Sequence, residues 1–175
     1  IGIVGFSDRL KSALLPAYKT VAAEFNCDIV GVSDIWSVRR EEAKAFFKKN
    51  FDQDIETYRN NEELYEKAKL DAVISSTADF QHATHAIEAI NAGCDVYCEK
   101  PFAETMQDAR AALKAVKSSD RILQVGSQRR SGPTYHAALD YLKSGKFGPI
   151  VAAEMTWNVN QPGRWRRPDL VASIK

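Results

Sequence analysis

Ile1-Gly2-Ile3-Val4-Gly5-Phe6-Ser7-Asp8-Arg9-Leu10 opens the chain as an apolar run, a short turn and the start of a helix. Beyond it Leu14, Leu15, Tyr18, Val21, Ala22 and Phe25 recur at the 3.6-residue spacing of an amphipathic helix. A strand that turns straight into a helix is the first unit of a parallel sheet covered by helices.

The same rhythm continues. Strands are predicted at Ile1 to Gly5, Asp28 to Val32, Asp71 to Ser76, Asp95 to Cys98 and Ile122 to Gly126. Between them fall a helix from about Val38 to Lys49, with Ala43, Phe46 and Phe47 on one side, and a short one near Glu62 to Lys69 behind the N-capping residues Asn60 and Asn61. A third runs from Asp79 to Ala92 and closes on Gly93 at the C′ position. Thr105 to Asp108 resembles a capping box for a helix ending near Lys117, and Gly132-Pro133 starts another that stops at Gly145. Five or six strands with right-handed crossovers make a doubly wound α/β nucleotide-binding unit, a Rossmann domain over 1–148. Residues 149–175 differ: Ile150 to Val159 alternates apolar and polar residues as a strand would, and an irregular tail with Arg164, Trp165, Arg166, Arg167 and Pro168 follows. One strand and a tail cannot close a core, so this part is expected to begin a second, α+β domain.

Composition narrows the partners. In 175 residues, 24 Lys and Arg against 23 Asp and Glu leave a net charge of +1, and 45% hydrophobic with 27% charged residues is globular usage. A nucleic-acid-binding domain would be more basic. No apolar run nears the ~18 residues of a membrane span, so neither nucleic acid nor membrane is expected as a partner. Cys27, Cys94 and Cys98 form no C-x-x-C pair, which points to neither a disulfide framework nor a metal site. The chain opens inside a strand pattern without an initiator Met, so the natural N-terminus is expected upstream of Ile1; the compartment is cytoplasmic, or periplasmic if a signal has been removed.

Four places carry residues suited to chemistry. The Gly5 turn lies where a dinucleotide fold holds its pyrophosphate, yet of the three glycines in G-x-G-x-x-G only Gly5 is present. Ser7 is small enough to admit a phosphate and has a hydroxyl to donate, whereas Leu10 would hold the helix away from the strand. Asp34 ends the second strand, where a carboxylate accepts hydrogen bonds from the adenosine ribose and repels a 2′-phosphate, favouring NAD. The lesser alternative is that it only caps the next helix, and the nearby Arg39 and Arg40 keep NADP open. Thr77 and His82 follow a central strand; Thr77 can donate to a ribose or phosphate, and His82 is either a contact or a packing residue, with His85 and His136 read as structural. Lys100 in Tyr97-Cys98-Glu99-Lys100-Pro101 can be desolvated at a strand end and stabilise an alkoxide or accept a proton, with Glu99 holding it; a solvated pair at a turn is the alternative.

In these stretches, and in Asn91-Ala92-Gly93, Gln124-Val125-Gly126-Ser127-Gln128-Arg129-Arg130 and Ser144-Gly145-Lys146-Phe147-Gly148, the sequence resembles the Gfo/Idh/MocA (glucose-fructose oxidoreductase / inositol dehydrogenase) family in order and along essentially the whole chain. The resemblance implies NAD or NADP on an N-terminal Rossmann domain and a substrate pocket supplied mostly by a second domain. It further implies hydride transfer at a secondary hydroxyl of a sugar or polyol. Lys100 would be the catalytic residue; Gly5, Ser7, Asp34, Thr77, His82, Glu99 and Gln128 would contact the cofactor. Family members also include NAD-dependent glycosidases that act by transient oxidation and elimination, and Trp165 could then stack on a saccharide; a non-catalytic dinucleotide-binding module is the remaining alternative. The degraded glycine loop and the absence of counterparts for the family's second-domain Asp and His are departures. By the same resemblance the full-length protein is a homo-oligomer about twice this length, and 1–175 alone binds cofactor without turnover.

Overall fold

The structure is a computed structural model that describes residues 1–158 and 171–172. Two compact units divide the chain, Ile1–Gln128 and Arg129–Lys175. The first holds a six-stranded parallel sheet, in chain order β1 (Gly2–Val4), β2 (Gly31–Ser33), β3 (Glu56–Tyr58), β4 (Ala72–Ser75), β5 (Asp95–Cys98) and β6 (Leu123–Val125). Their spatial order is β3-β2-β1-β4-β5-β6, with every pair parallel. The order reverses between β1 and β4, which is the doubly wound arrangement.

Helices cover both faces of the sheet. A π-helical stretch, Leu10–Leu14, runs into α1 (Leu15–Val21); α2 is Ser37–Phe51, α3 Asn61–Lys67, α4 His82–Asn91 behind a 3₁₀ turn at Asp79–Gln81, and α5 Met106–Lys117. Alternate residues of a strand face opposite sides, so the sheet has two cores. On one side Ile3 and Val32 pack with Leu10, Leu15, Ala43 and Phe47 beneath α1 and α2. On the other Val4, Val73 and Val96 pack with Leu64, Ala86, Ala89 and Ile90 beneath α3 and α4.

Local signals act where the sequence places them. Thr105 Oγ1 accepts from the Asp108 N–H (3.1 Å) and Asn60 Oδ1 from the Glu63 N–H (2.8 Å). Gly93 takes the left-handed φ of +83° that ends α4. Asn61 is used differently. Its Oδ1 accepts from Ser33 Oγ (2.6 Å) and its Nδ2 donates to Glu88 Oε2 (2.9 Å), so α3 is stitched to β2 and α4.

In the second unit α6 (Pro133–Lys143) begins at Gly132 as expected. The strand expected over 150–159 is a correction. In its described part, 150–158, the backbone forms no strand, and Val151, Met155 and Trp157 are exposed. Alternation supplies a two-faced segment, but a strand also needs a neighbour to pair with, and no other strand is described in this unit. Val159 and the Arg164 to Pro168 tail lie outside the described residues.

Candidate functional site

The loops that leave the C-terminal ends of β1, β2, β4, β5 and β6 share one edge of the sheet, the edge at which open parallel sheets bind ligands. Gly5 turns the chain out of β1 at φ +85°, its N–H donating to Ser33 O (2.9 Å). A Cβ on Gly5 would stand 2.6 Å from Thr77 Cγ2 and 3.1 Å from Thr77 Cα, so the β1 and β4 loops meet with no room for a side chain.

Ser7 is committed within the protein. Its Oγ accepts from the Leu10 N–H (3.1 Å) and donates to Ser76 Oγ (3.2 Å), which itself donates to Gly5 O (2.9 Å). The proton expected to reach a phosphate therefore fastens the loop to β4. Leu10, expected to wedge the helix away, is fully buried in the first core at the start of the π-helical stretch.

Asp34 uses both carboxylate oxygens, accepting from the Phe6 N–H (3.0 Å) and the Trp36 N–H (2.9 Å). It is not the cap of α2, whose N-cap position is Trp36. Each oxygen keeps a further lone pair for an incoming hydroxyl. The two arginines nearby are engaged. Arg40 Nη1 donates to Asp34 O (2.6 Å), and Arg39 Nη1 to Glu42 Oε2 (2.6 Å), with Asp8 Oδ1 at 3.2 Å. Lys11 Nζ pairs with the same Glu42 and with Asp8. Burial alone would raise the Glu42 carboxyl, but hydrogen bonds from Lys11 and Arg39 outweigh it and hold the group below the usual carboxylate range, so it remains an anion facing Arg39.

His82 corrects an expectation. It is 1% exposed, with Nδ1 2.7 Å from Pro101 O and Nε2 3.2 Å from Thr77 O. Both ring nitrogens lie within hydrogen-bond distance of carbonyl oxygens, so the buried ring sits between the β4 loop and the β5 loop instead of presenting itself to a ligand. Thr77 Oγ1 lies 2.9 Å from Nδ1 of His85. Burial holds the His85 imidazole below its ordinary value of 6.5; the Glu88 carboxylate opposes the shift and His82 adds to it. A ring that the folded state keeps neutral contributes its full stability above that ordinary value and loses it as pH falls through it toward the lower folded value. His85→Gln is accordingly expected to flatten the decline in thermal unfolding midpoint between about pH 7 and pH 5. An unchanged decline would place the acid sensitivity elsewhere.

Glu99 is 3% exposed and joins three loops. Its Oε1 accepts from Arg9 Nε (2.9 Å); its Oε2 accepts from the Lys100 N–H (3.2 Å) and from Gln128 Nε2 (3.3 Å), which also donates to Gly126 O (2.9 Å). The expected Glu99–Lys100 side-chain pair is not formed: Arg9 holds the carboxylate, and Lys100, at the head of a cis Lys100–Pro101 bond, is exposed without an ion-pair partner among the described residues. Lys100 is thus not desolvated by the described residues. Beside it Cys98 is no nucleophile, since burial pushes its thiol up to about 12. Tyr97 packs on Gly126, where a Cβ would stand 2.5 Å from the phenol oxygen.

The edge therefore assembles Gly5, Ser7, Asp34, Thr77, Glu99, Lys100 and Gln128, with His82 beneath. It also brings in Arg9, whose only sequence signal is its place in the turn; its partner lies 90 residues on.

A family model described as an oxidoreductase family with an NAD-binding Rossmann fold, GFO_IDH_MocA, matches residues 1–127. Over 113 residues the chain is 34% identical to the 1,5-anhydro-D-fructose reductase of Ensifer adhaerens, covering 62% of this chain and 34% of that protein. Over 173 residues it is 28% identical to the inositol 2-dehydrogenase of Salmonella typhimurium, 98% and 48% respectively. The solved structure of the WlbA dehydrogenase from Bordetella pertussis in complex with NADH and UDP-GlcNAcA shares the fold, with a TM-score of 0.74 at 23% identity over 85% of this chain and 43% of that one. The chain spans less than half the length of these relatives.

Proposed function

Because the chain belongs to the Gfo/Idh/MocA oxidoreductase family with its NAD-binding Rossmann fold, we propose that it is the cofactor-binding part of a dehydrogenase that moves hydride between NAD and a secondary hydroxyl of a sugar or polyol. The observation that carries the reading is the contact of the Gly5 and Thr77 loops at the point where the strand order reverses, with Asp34 and Lys100 following the flanking strands β2 and β5 on the same sheet edge. The residues present fit a dinucleotide. Gly5 leaves bare backbone at the closest approach of two loops, and Asp34 retains acceptor capacity for ribose hydroxyls. When bound, the nicotinamide supplies hydride acceptance and donation. Lys100 does the rest that this chain can do: as a cation at the strand end it stabilises negative charge growing on the substrate oxygen, and as an amine it takes that hydroxyl's proton on Nζ.

NAD is favoured over NADP. The Asp34 carboxylate repels a 2′-phosphate, and the charge of the nearby Arg39 is taken up by Glu42 and Asp8. Calorimetric titration of the chain is expected to give NAD at least about tenfold tighter binding than NADP, some 1.4 kcal/mol. Equal affinities would mean that an arginine swings free, and no binding of either would remove the reading altogether. Since the chain spans less than half of its relatives, 1–175 alone is expected to bind NAD and to leave a panel of sugars and inositols unoxidised; saturable NAD reduction by it would overturn that expectation.

A further inference from the structure

The turn after β1 has lost two of the three glycines of its pattern, and four of its backbone N–H groups are engaged inside the protein, that of Gly5 on Ser33 O among them. Phe6 donates to Asp34, Leu10 to Ser7 Oγ and Lys11 to Ser7 O (3.2 Å). The Ser7 hydroxyl proton goes to Ser76. With those donors committed, a cationic side chain beside the loop would strengthen its hold on an anion.

Arg9 has the geometry to be that side chain. Only its Nε is engaged, 2.9 Å from Glu99 Oε1, and its side chain is 42% exposed while Glu99 is 3% exposed. The four N–H donors on its two Nη atoms have no partner among the described residues. Glu99 cannot follow the guanidinium outward, because Lys100 N–H and Gln128 Nε2 hold its other oxygen. A guanidinium gripped at Nε with both terminal amines free is a fork suited to paired phosphate oxygens.

We propose that Arg9 is the diphosphate anchor of this site, and that Glu99 is its positioning residue. The proposal rests on the dinucleotide reading above. It makes Glu99 a residue that acts through Arg9, and it couples the diphosphate end of the site to the loop that carries Lys100.

The test is titration of the full chain with NAD, ADP and adenosine at several salt concentrations. Arg9→Gln is expected to weaken NAD and ADP by the same factor, about tenfold or more. It should leave adenosine within about twofold and flatten the salt dependence, because the anchored charge is the screened one. Arg9→Lys, which keeps the charge and loses the fork, should fall between. Glu99→Gln should weaken ADP in the original chain and add nothing once Arg9 is Gln. An Arg9→Gln chain that binds NAD within about twofold of the original overturns the anchor and leaves the dinucleotide reading standing. Equal weakening of adenosine would overturn it as a general disturbance, and a residual Glu99→Gln effect in the Arg9→Gln background would overturn the positioning role. An unsubstituted chain that binds neither NAD nor ADP removes the underlying reading instead.

Discussion

Gly5→Val should destabilise the first unit by roughly 2–5 kcal/mol and abolish NAD binding. Two causes act together. A φ of +85° costs a side-chain-bearing residue roughly 1–2 kcal/mol, and a β-branched one at the upper end. The new Cβ would also stand 2.6 Å from Thr77 Cγ2 and 3.1 Å from Thr77 Cα. The methyl contact can be relieved by a rotamer change, but the contact to the Cα requires the backbone of the β4 loop to retreat, an overpacking cost of about 1–3 kcal/mol. That retreat would pull on the Ser76 hydrogen bonds to Val4 and Gly5 and on the contact of His82 with Thr77 O, moving the parts of the edge together. Denaturant unfolding read beside calorimetry gives both numbers. A midpoint shift worth less than about 0.5 kcal/mol, with NAD affinity retained, would show that the loop re-routes at little cost.

Lys100→Ala is expected to lower kcat for a sugar or polyol by about 10²–10³, with NAD affinity unchanged. Among the described residues Lys100 is exposed and makes no ion pair, so removing its ammonium breaks nothing in the fold and the loss should fall on the reaction. The measurement is steady-state turnover of a catalytically competent form of the protein, with unfolding monitored in parallel. Turnover within about threefold of the original would take Lys100 out of the mechanism, given the size expected of one charge placed at the reacting oxygen.

Periodicity made much of the fold legible. Strands β1, β4, β5 and β6 and the helices between them follow from apolar spacing and from caps such as Thr105 and Gly93, because in those stretches the local preference and the buried face agree. Strand β3 was not legible: Glu56–Tyr58 is three residues long, lies at the sheet edge and buries none of its side chains fully, so it carries no alternation to read. The site divides the same way. Gly5, Asp34 and Thr77 could be placed because strand ends dictate their positions. Partnerships could not be, since they depend on which loops meet: Glu99 turned to Arg9 instead of Lys100, and His82 turned inward to two carbonyls.

Ser7 and Leu10 illustrate entrenchment. The first ties the Leu10 N–H to Ser76, and the second fills the core beside Leu15 and Phe47. Putting glycine back at either position would restore a letter of the familiar motif while removing a bond or opening a void, so each exchange is harmful taken alone. A designer wishing to rebuild the three-glycine turn would have to alter Ser76 and the packing under the π-helical stretch in the same step. The two versions of this loop are separate solutions, with no downhill path of single changes from one to the other.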